Sequence, residues 1–365
     1  MNRSSLQVSE LVIGLVLFEI GSTPLFLLGG KAKQDAWMAM GIAAAIGFVL
    51  LLLYLGIHRR HPDRDLYELC RFYLGRWVGT AVGLAFVLYF AYETSRNLRD
   101  LGELTVLTLL VKTPIFFIMF VTIIVIAMIA LHGVEVHFRT CTALCPVMAV
   151  SYALIIGLIA AAGLIHPEFL FPVLDDGWKP VWTSAFPEIV SFPFGQTALF
   201  LVFFPLAKKG RSLSKAVMIA YAGVAAFVIA VNQINILVLG PVLAANATFP
   251  LLQTVQLIQF MKVFERIDIL FALLLYFGLG VKMASFYIGA VIGMEKITGI
   301  RYNKWVLPVG AVIFALAFLS PNYTYHIWTG LVVVVNTISP VFQIALPLLL
   351  FAAMLIRRKK ARTSG

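Results

Sequence analysis

Two of the apolar stretches of this 365-residue chain that are long enough to cross a bilayer are broken part-way along. In Val8 to Gly30 the break is Glu19-Ile20-Gly21-Ser22-Thr23-Pro24; in Pro187 to Leu206 it is Phe192-Pro193-Phe194-Gly195-Gln196. Proline removes a backbone donor and glycine admits unusual dihedrals, so both stretches are expected to lose regular helix. Non-helical backbone survives at membrane depth only where protein or a watery cavity satisfies it. Two such breaks at corresponding points of two halves point to a binding site of the transporter type.

Composition agrees with a bundle of membrane spans. Hydrophobic residues make up 61% of the chain and charged ones 12%, whereas ordinary soluble proteins carry roughly 25% charged residues. Met1 to Glu10 shows no pattern of a cleavable signal, and the apolar stretch after it is too long for a signal core. Three cysteines provide no disulfide framework, and no His or Cys cluster has zinc-like spacing. Phosphate-binding loops, nucleophile elbows and metal-binding helices are not found, so we expect neither an enzyme nor a cofactor or metal site.

Apolar runs near twenty residues mark ten expected spans: 8–30, 35–57, 77–104, 113–132, 140–164, 187–206, 214–240, 264–293, 305–320 and 327–356. The lysines and arginines set the orientation. Arg59, Arg60, Arg64, Arg71 and Arg76, then Lys208, Lys209, Arg211 and Lys215, then Lys296, Arg301 and Lys304, all fall on one side. The basic tail, 357–365, falls there too, which makes that side, with both termini, cytoplasmic. The net charge of +11 follows from this bias and suits an anionic inner leaflet, not nucleic acid. Asp65 to Leu74 reads as a short amphipathic helix on that side, and Ala244 to Phe264 as an interfacial or re-entrant helix on the other.

The fold class expected is therefore all-α and polytopic: one transmembrane domain over 1–356, with repeats at about 8–164 and 187–356. The breaks fall in the first member of each half, and the halves start on opposite sides, which is the layout of an inverted repeat.

At the first break, Gly21, Ser22 and Thr23 can leave amide hydrogens and hydroxyls free of the helix. A half-helix starting near Pro24 would present its positive end to an anionic group. The alternative is a proline kink satisfied by neighbouring helices. At the second break Phe192 and Phe194 either line an apolar pocket or simply pack. Gly195 permits close approach, and Gln196 offers both donor and acceptor. Ionisable residues in a bilayer are functional candidates by default: Glu19, Glu93 near Tyr89 and Tyr92, Glu188 at a rim, and Lys282 in the eighth span. A Glu19–Lys282 ion pair is expected, either as a fixed tie or as a proton-linked switch. The external charges Arg96, Arg99, Asp100 and Glu103, and Glu265, Arg266 and Asp268, read as solvated rims or helix-to-helix salt bridges.

Together these landmarks resemble the B subunits of GerA-type spore germinant receptors, a branch of the amino acid–polyamine–organocation transporter superfamily. The residues carrying the resemblance are Gly21-Ser22-Thr23-Pro24, Asp35-Ala36-Trp37, Glu93 to Arg99, Lys112-Thr113-Pro114, Pro172-Val173-Leu174 with Gly177, Phe192-Pro193-Phe194-Gly195, and Phe264-Glu265-Arg266. The resemblance implies a LeuT-like fold of two inverted five-helix repeats and a ligand site at the broken first and sixth helices. Its residues would be Gly21, Ser22, Thr23, Pro24, Tyr89, Glu93, Phe192, Phe194, Gly195 and Gln196. It implies sensing of small nutrients, commonly amino acids, in the spore inner membrane, together with an A subunit and a lipoprotein C subunit. Many relatives carry an acid where this chain has Gln196. A proton-coupled amino acid transporter using the same site is the alternative reading.

Overall fold

The computed structural model describes residues 6–208, 212–258 and 267–363. Glu265 and Arg266 lie outside the described residues, as do the side chains of Asp268 and of the basic tail from Arg357 onward. Among the described residues every regular element is helical, and seven helices are long and apolar enough to cross a membrane.

The helices are α1 (Val8–Ile20), α2 (Ala36–Arg60), α3 (Leu66–Leu74), α4 (Arg76–Thr108), α5 (Ile115–Leu131) and α6 (Gly133–Ala161). They continue with α7 (Trp178–Ser184), α8 (Ser212–Leu239), α9 (Pro241–Asn246), α10 (Pro250–Gln256), α11 (Ile267–Thr298) and α12 (Tyr302–Leu316). The last are α13 (Tyr323–Trp328), α14 (Val335–Pro340) and α15 (Leu346–Thr363), joined through π-helical turns. Of these, α5 and α12 are the shorter apolar helices.

Packing sorts the bundle into an inner and an outer set. The inner helix α11 runs along α4 and also touches α1 and α6. It buries Phe271, Leu275, Leu279, Met283, Tyr287 and Val291 completely. By contrast, α5 and α6 turn Phe117, Val121, Val125, Val147 and Val150 outward, as lipid-facing helices do, since an apolar solvent leaves no reason to hide them.

The amphipathic α3 forms where the sequence placed it. Asp65 caps its first turn, with its carboxylate accepting from the Glu68 amide at 2.9 Å while Glu68 accepts from the Asp65 amide. This reciprocal box satisfies two donors that a helix start leaves open. Leu66, Tyr67, Leu69 and Cys70 face the bundle, and Lys296 of α11 bonds Glu68 at 2.6 Å. Burial pushes the Asp65 carboxyl above its ordinary range; Glu68 adds to the shift, and Lys296 opposes it. The helical segment expected after Ala244 splits into α9 and α10, and Leu251, Leu252, Val255 and Ile258 are buried on its inner face.

Some boundaries differ from expectation. The helix expected at 140–164 begins at Gly133, about two turns earlier, with Glu135 and Arg139 paired at 2.6 Å along its first turns. The segment expected at 187–206 begins at Trp178.

Candidate ligand site at two interrupted helices

Both breaks exist, and each follows from its own residues. The first helix stops at Ile20, with Gly21 at its C-cap. Ser22 is off the helix, and only a three-residue 3-10 turn, Thr23–Leu25, follows before Phe26 goes extended. The half-helix expected to start near Pro24 is therefore absent, and with it the positive helix end proposed for an anion. Proline supplies no amide here, and the chain up to Gly30 stays irregular. Its polar groups find partners in α8: the Asn232 side chain accepts from the Leu28 amide at 2.9 Å and donates to the Leu28 carbonyl at 3.0 Å. Gln233 donates to the carbonyl of Gln34 at 3.3 Å. These two amides of α8 were not singled out in the sequence. The cluster Asn232-Gln233 with Asn235, three amides within four residues of an apolar stretch, is the signal that could have found them.

The second segment runs as α7, a π turn over Ala185–Ile189, a break at Phe192-Pro193, and then 3-10 helix from Phe194 to Leu201. At one end the two broken segments are stitched together. Leu6 donates to the Leu206 carbonyl and accepts from the Lys208 amide, both at 2.9 Å.

The expected site residues are distributed unevenly. Gly21 does not face a pocket. Its Cα lies against α11, where an added Cβ would come within 2.7 Å of the Gly278 carbonyl, so this glycine serves the close approach of two backbones. The Thr23 hydroxyl is spent on the Glu19 carbonyl, one turn back. Pro24 lines a narrow crevice, with no room for a water molecule, beside Thr23, Phe26, Asn232 and Asn235. Only Ser22, with a buried hydroxyl that has no partner, remains available at the first break.

The Phe pair diverges. The Phe192 ring approaches Phe26 at 6.5 Å, while the Phe194 ring packs on Tyr221 of α8 at 5.9 Å, so the two do not form one aromatic wall. Gln196 donates to Glu93 of α4 at 3.0 Å. Tyr89, one turn before Glu93, accepts from Gln343 at 2.8 Å and donates to Ser339 at 3.3 Å. Gln343 in turn lies so close to Gly195 that a Cβ there would strike its amide. Tyr54 of α2 closes the group by donating to the Gln343 carbonyl. Thus Tyr89, Glu93, Gly195 and Gln196 meet, and Tyr54, Ser339 and Gln343 join them. The last three carry no signal in a linear reading, because single polar residues in apolar spans recur throughout the chain.

Glu19 and Lys282 are both buried, and within electrostatic reach of each other. The expected direct ion pair is not formed: neither carboxylate oxygen of Glu19 nor the Lys282 ammonium has a hydrogen-bond partner. The ammonium sits instead over two aromatic rings, 4.7 Å from the centroid of Phe192 and 5.2 Å from that of Phe18. A cation near ring faces is attracted by their quadrupoles, so Lys282 bridges one helix of each break. The α4 charges read as a solvated rim or as helix-to-helix salt bridges turn inward. Arg96, Arg99 and Asp100 are buried; Arg96 donates to the Gly330 carbonyl at 3.3 Å, and Arg99 pairs with Glu103 at 2.7 Å. Asp100 accepts from Tyr323 at 3.2 Å and lies 3.3 Å from His326. At the rim opposite the basic loops, Lys31 pairs with Glu188 and Lys33 with Asp176, each at 2.7 Å.

On the face carrying the basic loops, a cavity of about 540 Å³ opens among Asp65, Glu68, Glu135, Pro205, Glu295 and Lys296. It reaches the end of the second broken segment.

Comparison with known proteins gives a consistent result. The family model described as "Spore germination protein" matches residues 5–326. The chain is 31% identical over 366 residues to spore germination protein KB of Bacillus subtilis (strain 168), covering 100% of this chain and 98% of that protein. It is 21% identical over 195 residues to spore germination protein YndE of the same organism, covering 53% of each.

Proposed function

The chain belongs to the spore germination protein family, the family of B subunits of GerA-type germinant receptors, and on that premise we propose that it is a nutrient-sensing subunit. A small amino acid binds between the interrupted helices and shifts a conformational equilibrium that partner subunits read. The segments Val8–Leu25 and Trp178–Leu206 act as the first and sixth of ten spans in two inverted five-helix repeats. The chain sits in the spore inner membrane with the basic face and both termini toward the cytoplasm, and assembles with an A subunit and a lipoprotein C subunit.

One observation carries this reading: Glu93, Gln196, Gln343 and Tyr89 meet in a buried polar cluster against a helix break, in the middle of an apolar bundle. Such a cluster is costly in lipid unless it has a task. In this reading the ligand's carboxylate is held by Ser22 and Lys282, its side chain lies on Phe192, and its ammonium meets Glu93 and Gln196. The ligand acts only through a difference in affinity between two states.

The second reading, a proton-coupled amino acid transporter, is favoured by the unpaired Glu19 and Lys282, which could exchange protons during a cycle. Reconstitution separates the two. Saturable binding of an amino acid without uptake into liposomes supports the sensor. Uptake by this chain alone supports the transporter, and neither binding nor uptake of any common amino acid removes both.

A further inference from the structure

Three side-chain oxygens at the second break accept no hydrogen bond from the protein: Glu93 Oε1, Gln196 Oε1 and Gln343 Oε1. Their residues come from three separate elements, and each is at most 3% exposed. They belong to one connected group. The Gln196 amide nitrogen is engaged by the other oxygen of Glu93, at 3.0 Å. The Gln343 amide nitrogen is engaged by Tyr89, at 2.8 Å. The Gln343 oxygen rests against Gly195, the neighbour of Gln196. Each amide nitrogen has one N–H engaged, whereas the amide oxygens and the second Glu93 oxygen accept nothing from the protein.

Unpartnered buried acceptors are unfavourable, and three together call for one group that brings donors. A primary ammonium has three N–H donors and one positive charge. The cluster has three acceptors and, in Glu93, one carboxylate. Donor count and charge both match. A hydroxyl brings one donor and leaves the carboxylate uncompensated; a trimethylated nitrogen brings the charge and no donor.

We propose that Glu93, Gln196 and Gln343 form a three-oxygen cradle for a primary ammonium group, which makes Gln343, near the chain's last helix, a determinant of specificity. This rests on the reading of the break as a ligand site. It goes further by naming the group recognised and adding a third helix to its recognition. It also gives Gly195 a reason, because any side chain there would drive Gln343 out of place.

The test is thermal unfolding of the full chain in detergent with four additives: an equimolar pool of the twenty common amino acids; the same pool as N-trimethyl derivatives; a pool of methylammonium, ethanolamine and putrescine; and sodium or potassium chloride. The amino acid pool is expected to raise the midpoint, since a ligand that binds only the folded state stabilises it, and the N-trimethyl pool is not. Gln343→Leu is expected to weaken the response about tenfold or more, the effect of losing one hydrogen bond to a charged group. Gln343→Glu keeps the size, adds a second carboxylate and is expected to respond at lower concentration, which keeps the test decisive if the leucine variant fails to fold. The cradle is overturned if both variants respond as the unaltered chain does, if the N-trimethyl pool stabilises equally, or if the salts alone reproduce the shift. Stabilisation by amino acids that ignores Gln343 leaves the amino acid reading standing without the cradle. Stabilisation by the simple amines alone leaves the cradle without the amino acid. No shift with either ends both.

Discussion

The two breaks look equivalent in the sequence, yet the protein builds them for opposite conditions. The first is closed by packing except at the Ser22 hydroxyl. Gly21 is pressed against Gly278, Thr23 bonds back into its own helix, and Asn232 satisfies the loosened backbone at Leu28. At the second, the backbone break is bordered by long polar side chains whose acceptors outnumber their donors. The contrast teaches that an interrupted helix is not by itself a site. What matters is whether neighbours consume the freed polar groups or leave some of them over. Lys282 joins the two, with its ammonium lodged between a ring from each broken segment.

Substitutions can break or sharpen this contrast. The largest effect is expected from Gly21→Leu, which sets a side chain against the Gly278 carbonyl. Overpacking of this kind costs about 3 kcal/mol, so the midpoint of thermal unfolding should fall steeply whether or not amino acids are present. A variant that stays stable and only loses a ligand response would return the first break to the status of a pocket. Next comes Asn232→Leu, which strips two partners from the buried Leu28 backbone. The expected loss is about 2–3 kcal/mol, measured by the same unfolding curve.

At the second break the expected damage to stability is smaller, and the damage to ligand response larger. Gly195→Ala displaces Gln343 and is expected to cost about 1–2 kcal/mol, with the response to the amino acid pool abolished. Tyr89→Phe removes the acceptor for the Gln343 amide and the donor to Ser339. It should lower stability by about 1 kcal/mol and shift the ligand concentration needed. If Tyr89→Phe leaves that concentration unchanged, the tyrosine only holds the bundle together. Smallest is Arg139→Met, at an exposed ion pair with Glu135, expected to stay within about 1 kcal/mol and to leave the ligand response alone.

Much of the scaffold is legible in one dimension. Apolar runs mark the helices because lipid demands them, Pro and Gly mark the interruptions because of what they do to the backbone, and Asp65 with Glu68 marks the start of α3. The charges near the end of α4 show where a linear reading stays open between a solvated rim and helix-to-helix salt bridges; burial and the 3.3 Å Asp100–His326 contact favour the second. Arg96, Arg99 and Asp100 lie at helical spacing near a span end, where a solvated rim is the usual outcome. Whether such a stripe faces water or protein depends on what packs beside α4, here Tyr323, His326 and the carbonyl of Gly330 from the far end of the chain. The Glu19–Lys282 pair failed for a similar reason. Opposite charges buried near each other suggest contact, but the position of the lysine head is set by Phe18 and Phe192, and no linear pattern relates those rings to it.

The sequence by itself determined that this chain is a bundle of membrane helices, where two of them break, and which family it joins. These follow from local chemistry: transfer to lipid, missing donors, and residues read in order. Only the tertiary structure decided that the first break is filled and the second is left with oxygens to spare, and that Gln343 stands beside Gln196. Pairing across distant helices depends on which faces meet, and a stretch of uniformly apolar residues carries almost no record of its own rotation.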